Sequence, residues 1–421
     1  MRDRRKVKRG SGLLNCDLRG AAPSPTSIKS TERDGARSMD FNLTEDQTII
    51  RDSARRLSVE VLEPLLAREP ADRPLSKVAM TEVFGHFAEF GITTTRLPAE
   101  LGGSGLPMLD YGLIIEQLPP VLALSLISHD GSTTRISAGA APELRETLVP
   151  DLIAGRKIAC TATSEATAGS HSNAIRTRVE ETGDTLRVTG RKMWITNASI
   201  ADVFVVTCAS GVDDRGKPRN HRVLVERAAP GVEVTEIPLT GLRQGHLSEV
   251  SFDGVEVPAN HAIGEPGDAG RFMTLVWNGN RPLLGLCALS IARRAFDMAR
   301  EHCGTREQFG KLLSETQLVQ NDLADIETLI ESGRLLCLGA LHAMDSGRRA
   351  NGTSAMAKRF ATANANRAID LAMQLHGALG ITTELGIEQL WRDARVFQVP
   401  DGTMGILSLI QGREITGRAA F

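Results

Sequence analysis

The chain has 421 residues, 41% of them hydrophobic and 24% charged, enough to bury a substantial core and to divide into two or three domains. No run of about 18 apolar residues occurs, which argues against a membrane span. The formal net charge of -2 conceals a basic leader, and the body without it is mildly acidic with no Lys/Arg stripe, so nucleic acid is not an expected partner.

Residues 1–38 are rich in Arg and Lys, with Gly, Ser and Pro between them, and lack apolar periodicity and the h-region of a signal peptide. Disorder is the expectation. Met39 opens the well-formed stretch MDFNLTEDQ, so the leader reads as an upstream extension or a misassigned start.

Residues 39–157 read as an N-terminal helical domain. Thr44 followed by Gln47 is a capping-box signature, and Ile50, Ala54, Leu57 and Val61 then mark one face of a long helix. Helical patterns recur at Val83–Phe90, Leu113–Leu118 and Leu148–Ile153, with LGGSGLP as a loop. Residues 158–271 change texture. Short β-favouring runs at Thr185–Thr189, Asp202–Thr207, Arg222–Glu226, Val232–Ile237 and Glu249–Val257 lie between turn signals and predict a small antiparallel β domain. From about Phe272 to the C-terminus the helical period returns. Val319, Leu323, Ile326 and Ile330 mark one helix face, and Ala361, Ala365, Ala368 and Ala372 another, as in an antiparallel bundle.

The order α, then β, then α lacks a βαβ rhythm or a GxGxxG after a strand, which argues against a Rossmann fold. The six cysteines show no CxxC or zinc-like spacing and read as reduced thiols of an intracellular, cytoplasmic protein. No metal is expected.

Asp401 stands before Gly402 and Thr403 at an expected helix start. A carboxylate, a backbone N–H open to a substrate oxygen and a hydroxyl within reach of a cofactor make this tripeptide a candidate catalytic element. A helix N-cap is the plainer reading of the same residues.

Upstream motifs separate the two readings. ACTATSEATAGSHSNAIRTR at 159–178, GRKMWITN at 190–197, TREQFGK at 305–311 and QLHGALG at 374–380 precede PDGT at 400–403. With NLTEDQ and RLPAELGGSG near the start, they resemble the acyl-CoA dehydrogenase family in order and spacing. The resemblance covers residues 39–417. It implies an α+β, mainly α, fold with an N-terminal helical domain, a central antiparallel β domain and a C-terminal four-helix bundle. FAD would be the cofactor, and a homo-oligomer, tetramer or dimer, the assembly.

Residue by residue, the resemblance implies that Trp194 covers a flavin face and Thr196 bonds the N5 region. Thr161, Thr163 and Ser164 would serve the pyrimidine end, and Ser170 the phosphates and acyl carrier. Arg306 would meet the pyrophosphate of a neighbouring subunit's FAD, and Phe309, Gln317, Gln374 and Gly377 the adenosine half; Thr403 completes the cofactor set. Asp401 would take the α-proton of an acyl-CoA while hydride passes to flavin N5, giving a trans-2-enoyl-CoA. Arg281 would lie near base and thioester, with Asn278 and Gly402 on the substrate. An electron-transfer flavoprotein would receive the electrons.

The chain also departs from the family pattern. Most members have Glu where Asp401 stands, and the alternative base position on the bundle helix is Asn280 here. SEA replaces the usual TEP, GSH with His171 the usual GSD, and GALG the usual GGxG. Two other functions fit such a divergent member: a nitroalkane-oxidase-like flavin oxidase acting on a carbon acid, and a non-catalytic flavin- or acyl-CoA-binding protein.

Overall fold

The computed structural model describes residues 42–418 other than Lys217. The expected disordered leader lies outside them.

Helix α1, Glu45–Leu57, starts on the capping box: Gln47 N donates to Thr44 Oγ1 at 3.2 Å and Thr44 N to Gln47 Oε1 at 3.1 Å. A π turn over Ser58–Leu62 then inserts one residue into the repeat. The inward face therefore passes to Ser58 and Leu62, both at least 98% buried, while Leu57 and Val61 of the expected stripe are only partly covered. Helices α2 (Glu63–Arg68), α3 (Lys77–Glu89), α4 (Met108–Ile115), α5 (Pro120–Gly139) and α6 (Pro142–Ile153) follow.

No apolar stripe announces α5. Its buried residues include Ser125, His129, Asp130, Ser132, Thr133, Arg135 and Ser137, because it packs against helices on one side and the β domain on another. His129 shows how it is fixed. Its Nδ1 accepts from Ala159 N at 3.1 Å and its Nε2 lies 3.1 Å from the Leu152 carbonyl, so the ring serves as a neutral donor and acceptor. Burial pushes its pKa down to about 4, against a pull upward from the Leu152 carbonyl.

A group depressed in the folded state leaves the unfolded chain holding more protons between about pH 6.5 and 4, so stability falls as pH falls through that window. The thermal midpoint should therefore drop over this range, and His129→Gln should flatten the dependence by up to about one proton. An unchanged slope in the variant would remove His129 from that role.

The β domain is an eight-stranded sheet of β1 (Ala159–Ala162), β2 (Arg178–Thr182), β3 (Thr185–Thr196), β4 (Val203–Val212), β5 (Pro218–Glu226), β6 (Val232–Glu236), β7 (Leu247–Pro258) and β8 (Ala262–Ile263). Its order is β6-β7-β3-β2-β4-β5-β8, with β1 added on β4. The sheet is mostly antiparallel as expected. Strand β1 departs from this, running parallel to β4 with Ala159 opposite Val203, and β2 meets β4 in one parallel bridge.

Strand β4 reads as a continuous apolar run because both its faces are covered. Phe204, Val206 and Cys208 enter the core of the β domain, whereas Val203 and Val205 face α5 and α6.

The C-terminal region consists of α7 (Ala269–Thr305), a hairpin of β9 (Glu307–Gln308) and β10 (Lys311–Leu312), then α8 (Gln317–Asp345), α9 (Asn351–Leu375), α10 (Ile387–Val396) and α11 (Met404–Thr416). All four alanines of the expected stripe on α9 are fully buried. Small residues let the backbones come close. A Cβ on Gly112 of α4 would stand 2.4 Å from Leu341 Cδ1 on α8, so the N-terminal helices and the bundle share one core. The five described cysteines are free and buried, and no described helix is long and apolar enough to cross a membrane.

Candidate active site

The site is built outward from a proline inside α7. Pro282 has no N–H, so the carbonyl four residues back, that of Asn278, loses its helical donor. Ser354 of α9 replaces it, with Oγ donating to the Asn278 carbonyl at 2.5 Å. One turn further along α9, the Nζ of Lys358 donates to the carbonyls of Pro400 and Gly402, the second at 2.8 Å. Between these two, the Asp401 carbonyl accepts from Arg281 Nε at 3.1 Å. Arg281 is steadied in turn by its Nη1 bond to Asn278 Oδ1 at 3.1 Å. Two buried cations thus hold three consecutive carbonyls.

Those bonds hold an unusual turn. Asp401 has φ 54° and Gly402 φ 112°, both in the left-handed half of the map, which Asp tolerates better than most residues and glycine freely. The helix-cap reading of Asp401 fails here. Thr403 occupies the N-cap position of α11, and Asp401 lies two residues before it in a strained turn. Among the described residues, the amide N–H groups of Asp401 and Gly402 have no hydrogen-bond acceptor. A half-buried carboxylate beside two open amides suits a base that also binds an oxyanion.

Positive charge surrounds this turn. Burial pushes the Lys358 ammonium down to about 7, and the Asp401 carboxylate pulls it back up. Arg281 is lowered by burial and raised by Asp401 in the same way. Next to Arg281, Asn280 Oδ1 accepts from Arg96 Nη2 at 2.7 Å, and Arg96 Nε lies 2.9 Å from Asp130 Oδ2.

A second group of expected site residues lies on the sheet. The backbone of Ser164, just past β1, accepts from Met193 N at 2.9 Å and so sets this strand end beside Trp194. Trp194 has φ 59° where the pairing of β3 with β7 changes register, and its side chain is left 48% exposed. Thr196 follows it, paired with Leu247. Thr163 bonds Thr207 through the two hydroxyls at 2.9 Å, and Thr161 Oγ1 lies 2.9 Å from Ser132 Oγ of α5. Ser170 is exposed in the loop beyond β1.

The third group stands apart. Arg306 ends α7, Phe309 is fully exposed at the hairpin tip with φ 54°, and Gln317 opens α8. Gln374 and Gly377 are exposed at the end of α9. Among the described residues no hydrogen bond or ion pair joins these five to Asp401. Thr403 is exposed beside the base turn.

Sequence reasoning missed Lys358, Ser354, Arg96, Asp130 and Arg135. One signal was available: Lys358 lies three residues before Ala361 and so continues the alanine stripe of α9, a position where an unpaired charge is costly. The α5 residues carried no such signal, since a helix buried on several sides shows no amphipathic period.

Comparison with known proteins agrees with this architecture. Acyl-CoA dehydrogenase family models match in three parts: the N-terminal domain at residues 44–156, the middle domain at 160–255 and the C-terminal domain at 270–416. The chain is 33% identical to cyclohex-1-ene-1-carbonyl-CoA dehydrogenase of Geobacter metallireducens, over 89% of this chain and 99% of that protein. Its fold is similar to that of butyryl-CoA dehydrogenase from Megasphaera elsdenii, with a TM-score of 0.83 and 27% identity over 90% of this chain and all of that one. The FAD complex of PigA is alike to the same degree, with a TM-score of 0.83 and 27% identity over 90% of this chain and 99% of that one. With three domains in register and an aspartate poised beside the bundle, the chain belongs to the acyl-CoA dehydrogenase family and is an FAD-dependent oxidoreductase acting on CH–CH groups.

Proposed function

We propose that the chain oxidises an acyl-CoA between Cα and Cβ to a trans-2-enoyl-CoA, working as a homo-oligomer that passes electrons to an electron-transfer flavoprotein. The observation that carries this reading is the Asp401 turn, which presents a carboxylate and open amides at one point. When bound, FAD supplies the hydride acceptor at N5. Asp401 takes the pro-R α-proton, and its backbone N–H donates to the thioester carbonyl, stabilising the charge that develops there. Arg281 and Lys358 keep that turn in place by holding its carbonyls.

Several features support the cofactor assignment residue by residue. A half-exposed indole at Trp194 offers a stacking face for the flavin, with Thr196 beside it and Thr161, Thr163 and Ser164 along the neighbouring strand end. Arg306 is exposed and has no ion-pair partner among the described residues, as a pyrophosphate ligand requires. Arg306 closes α7 25 residues beyond Arg281, roughly 37 Å along the helix, which fits a cofactor completed by a second subunit, so FAD binding and assembly would be coupled.

Anaerobic titration of the purified, FAD-loaded protein with acyl-CoAs of graded length is the test. Saturated acyl-CoAs should bleach the flavin absorbance, and the reduced protein should react slowly with oxygen. If no acyl-CoA bleaches it, the dehydrogenase reading is wrong; fast reoxidation by oxygen would favour the oxidase reading instead.

A further inference from the structure

Arg135 of α5 is the charged group near the base that the proposed reaction does not use. Its side chain is only 4% exposed. Nη1 donates to the Gly131 carbonyl at 3.0 Å and to Thr161 Oγ1 at 3.2 Å. Nε is buried without an acceptor, and among the described residues the side-chain hydrogen bonds of Arg135 both leave from Nη1. The edge of the guanidinium that grips a carboxylate side-on is therefore unfilled, although burying an unpaired donor costs stability.

Geometry places this guanidinium about one helical turn of α7 from the residues that hold the base turn. A Cβ on Gly131 would lie 3.4 Å from Arg135 Nη1, 3.8 Å from Arg96 Nη1 and 2.7 Å from Val276 Cγ1 of α7. Both guanidinium groups thus flank one glycine facing α7, the helix whose next turn supplies Asn280 and Arg281 to the base turn. Arg96 already faces an acid, with Nε 2.9 Å from Asp130 Oδ2 and Nη2 donating to Asn280 Oδ1. Arg135 has no such acid in contact. Burial first, then the like charges of Arg222 and Arg96, lower it to about 9, and Asp401 offsets part of this. The guanidinium groups at this locus (Arg96, Arg135 and Arg281) exceed the anions Asp130 and Asp401, so the balance favours an incoming negative charge.

We propose that the acyl group of the substrate bears a second, anionic end, a carboxylate, which Arg135 binds through Nε and Nη2. The inference rests on the acyl-CoA reading and deepens it: the substrate is the CoA thioester of a short dicarboxylic acid. The acyl chain is short because Arg135 flanks Gly131, which packs on Val276, about one turn of α7 before Asn280 and Arg281. A guanidinium suits this task because its planar fork matches a carboxylate and stays charged when buried.

The experiment compares matched thioesters, butyryl-CoA against succinyl-CoA and hexanoyl-CoA against adipyl-CoA, on the FAD-loaded protein. Binding is measured by calorimetry and reduction by anaerobic bleaching. In the wild type the carboxylated member of at least one pair should bind roughly 10- to 100-fold more tightly, the range a charge-assisted hydrogen bond supplies. Arg135→Met should remove that preference and Arg135→Lys restore part of it, with the change in KM rather than kcat.

Equal binding within both pairs, or a preference that survives Arg135→Met, overturns the proposal. So does an Arg135→Met protein whose flavin absorbance and potential shift while the preference stays, because the guanidinium would then serve the cofactor. Absence of bleaching with every thioester counts against the dehydrogenase reading, while the calorimetric comparison still decides the anion preference.

Discussion

Asp401→Asn should lower turnover by about 10²- to 10⁴-fold while leaving FAD and acyl-CoA bound. The substitution isolates the chemistry from the fold. Asn is isosteric with Asp and enriched in the left-handed region, so the φ of 54° and the carbonyl bonds from Arg281 and Lys358 should persist. What disappears is the group that accepts the α-proton. Anaerobic stopped-flow bleaching reports the chemical step, and spectral titration with an acyl-CoA reports binding. Bleaching at the wild-type rate would show that Asp401 is not the base.

The same turn accommodates an aspartate readily. A left-handed residue is better tolerated as Asp than as the longer Glu, and the turn places the carboxylate beside its own amide. The missing methylene must then be offset by where the turn stands, which is decided by the residues that grip its carbonyls.

Lys358→Met should cost both stability and turnover. Met nearly matches the lysine in volume, so the loss reports the ammonium rather than a cavity. The carbonyls of Pro400 and Gly402 lose their shared donor, at roughly 1–3 kcal/mol for each one left unsatisfied. A lower thermal midpoint follows. Without the clamp the strained turn at Asp401 relaxes, and a displacement of the base by about 1 Å corresponds to about a 10²-fold slower chemical step. Bleaching rates measured well below the variant's midpoint separate this from unfolding. The calorimetric affinity for acyl-CoA should change less than the bleaching rate, a split that general destabilisation would not produce. A folded variant with the wild-type bleaching rate would rule out the positioning role.

Much of the fold was legible because it rests on local chemistry. The capping box at Thr44 and Gln47 works through two bonds within one turn, and the alanine stripe of α9 is a period that only a packed helix explains. The return from β to α texture near residue 270 follows from the same periodicities. Strand β1 was less legible. Its parallel pairing with β4 depends on a partner more than forty residues away, and four residues carry no mark of direction. The π turn after α1 moved the buried face by one position for the same reason: α2 and its neighbours, rather than α1 alone, decide which side chains turn inward.

For the site, the sequence by itself determined the identity of the groups: an aspartate before Gly and Thr, an arginine before proline, and family motifs naming a flavin. Whether Asp401 caps a helix or faces a substrate was beyond it, because both roles use the same tripeptide. Tertiary structure removed the cap reading by assigning the cap position to Thr403, and it bound the carbonyls around Asp401 to Arg281 and Lys358. It also brought Arg135 of α5 toward the same space. These groups come from segments spread over more than two hundred residues, and their charges matter only through burial and distance, neither of which is written in residue order.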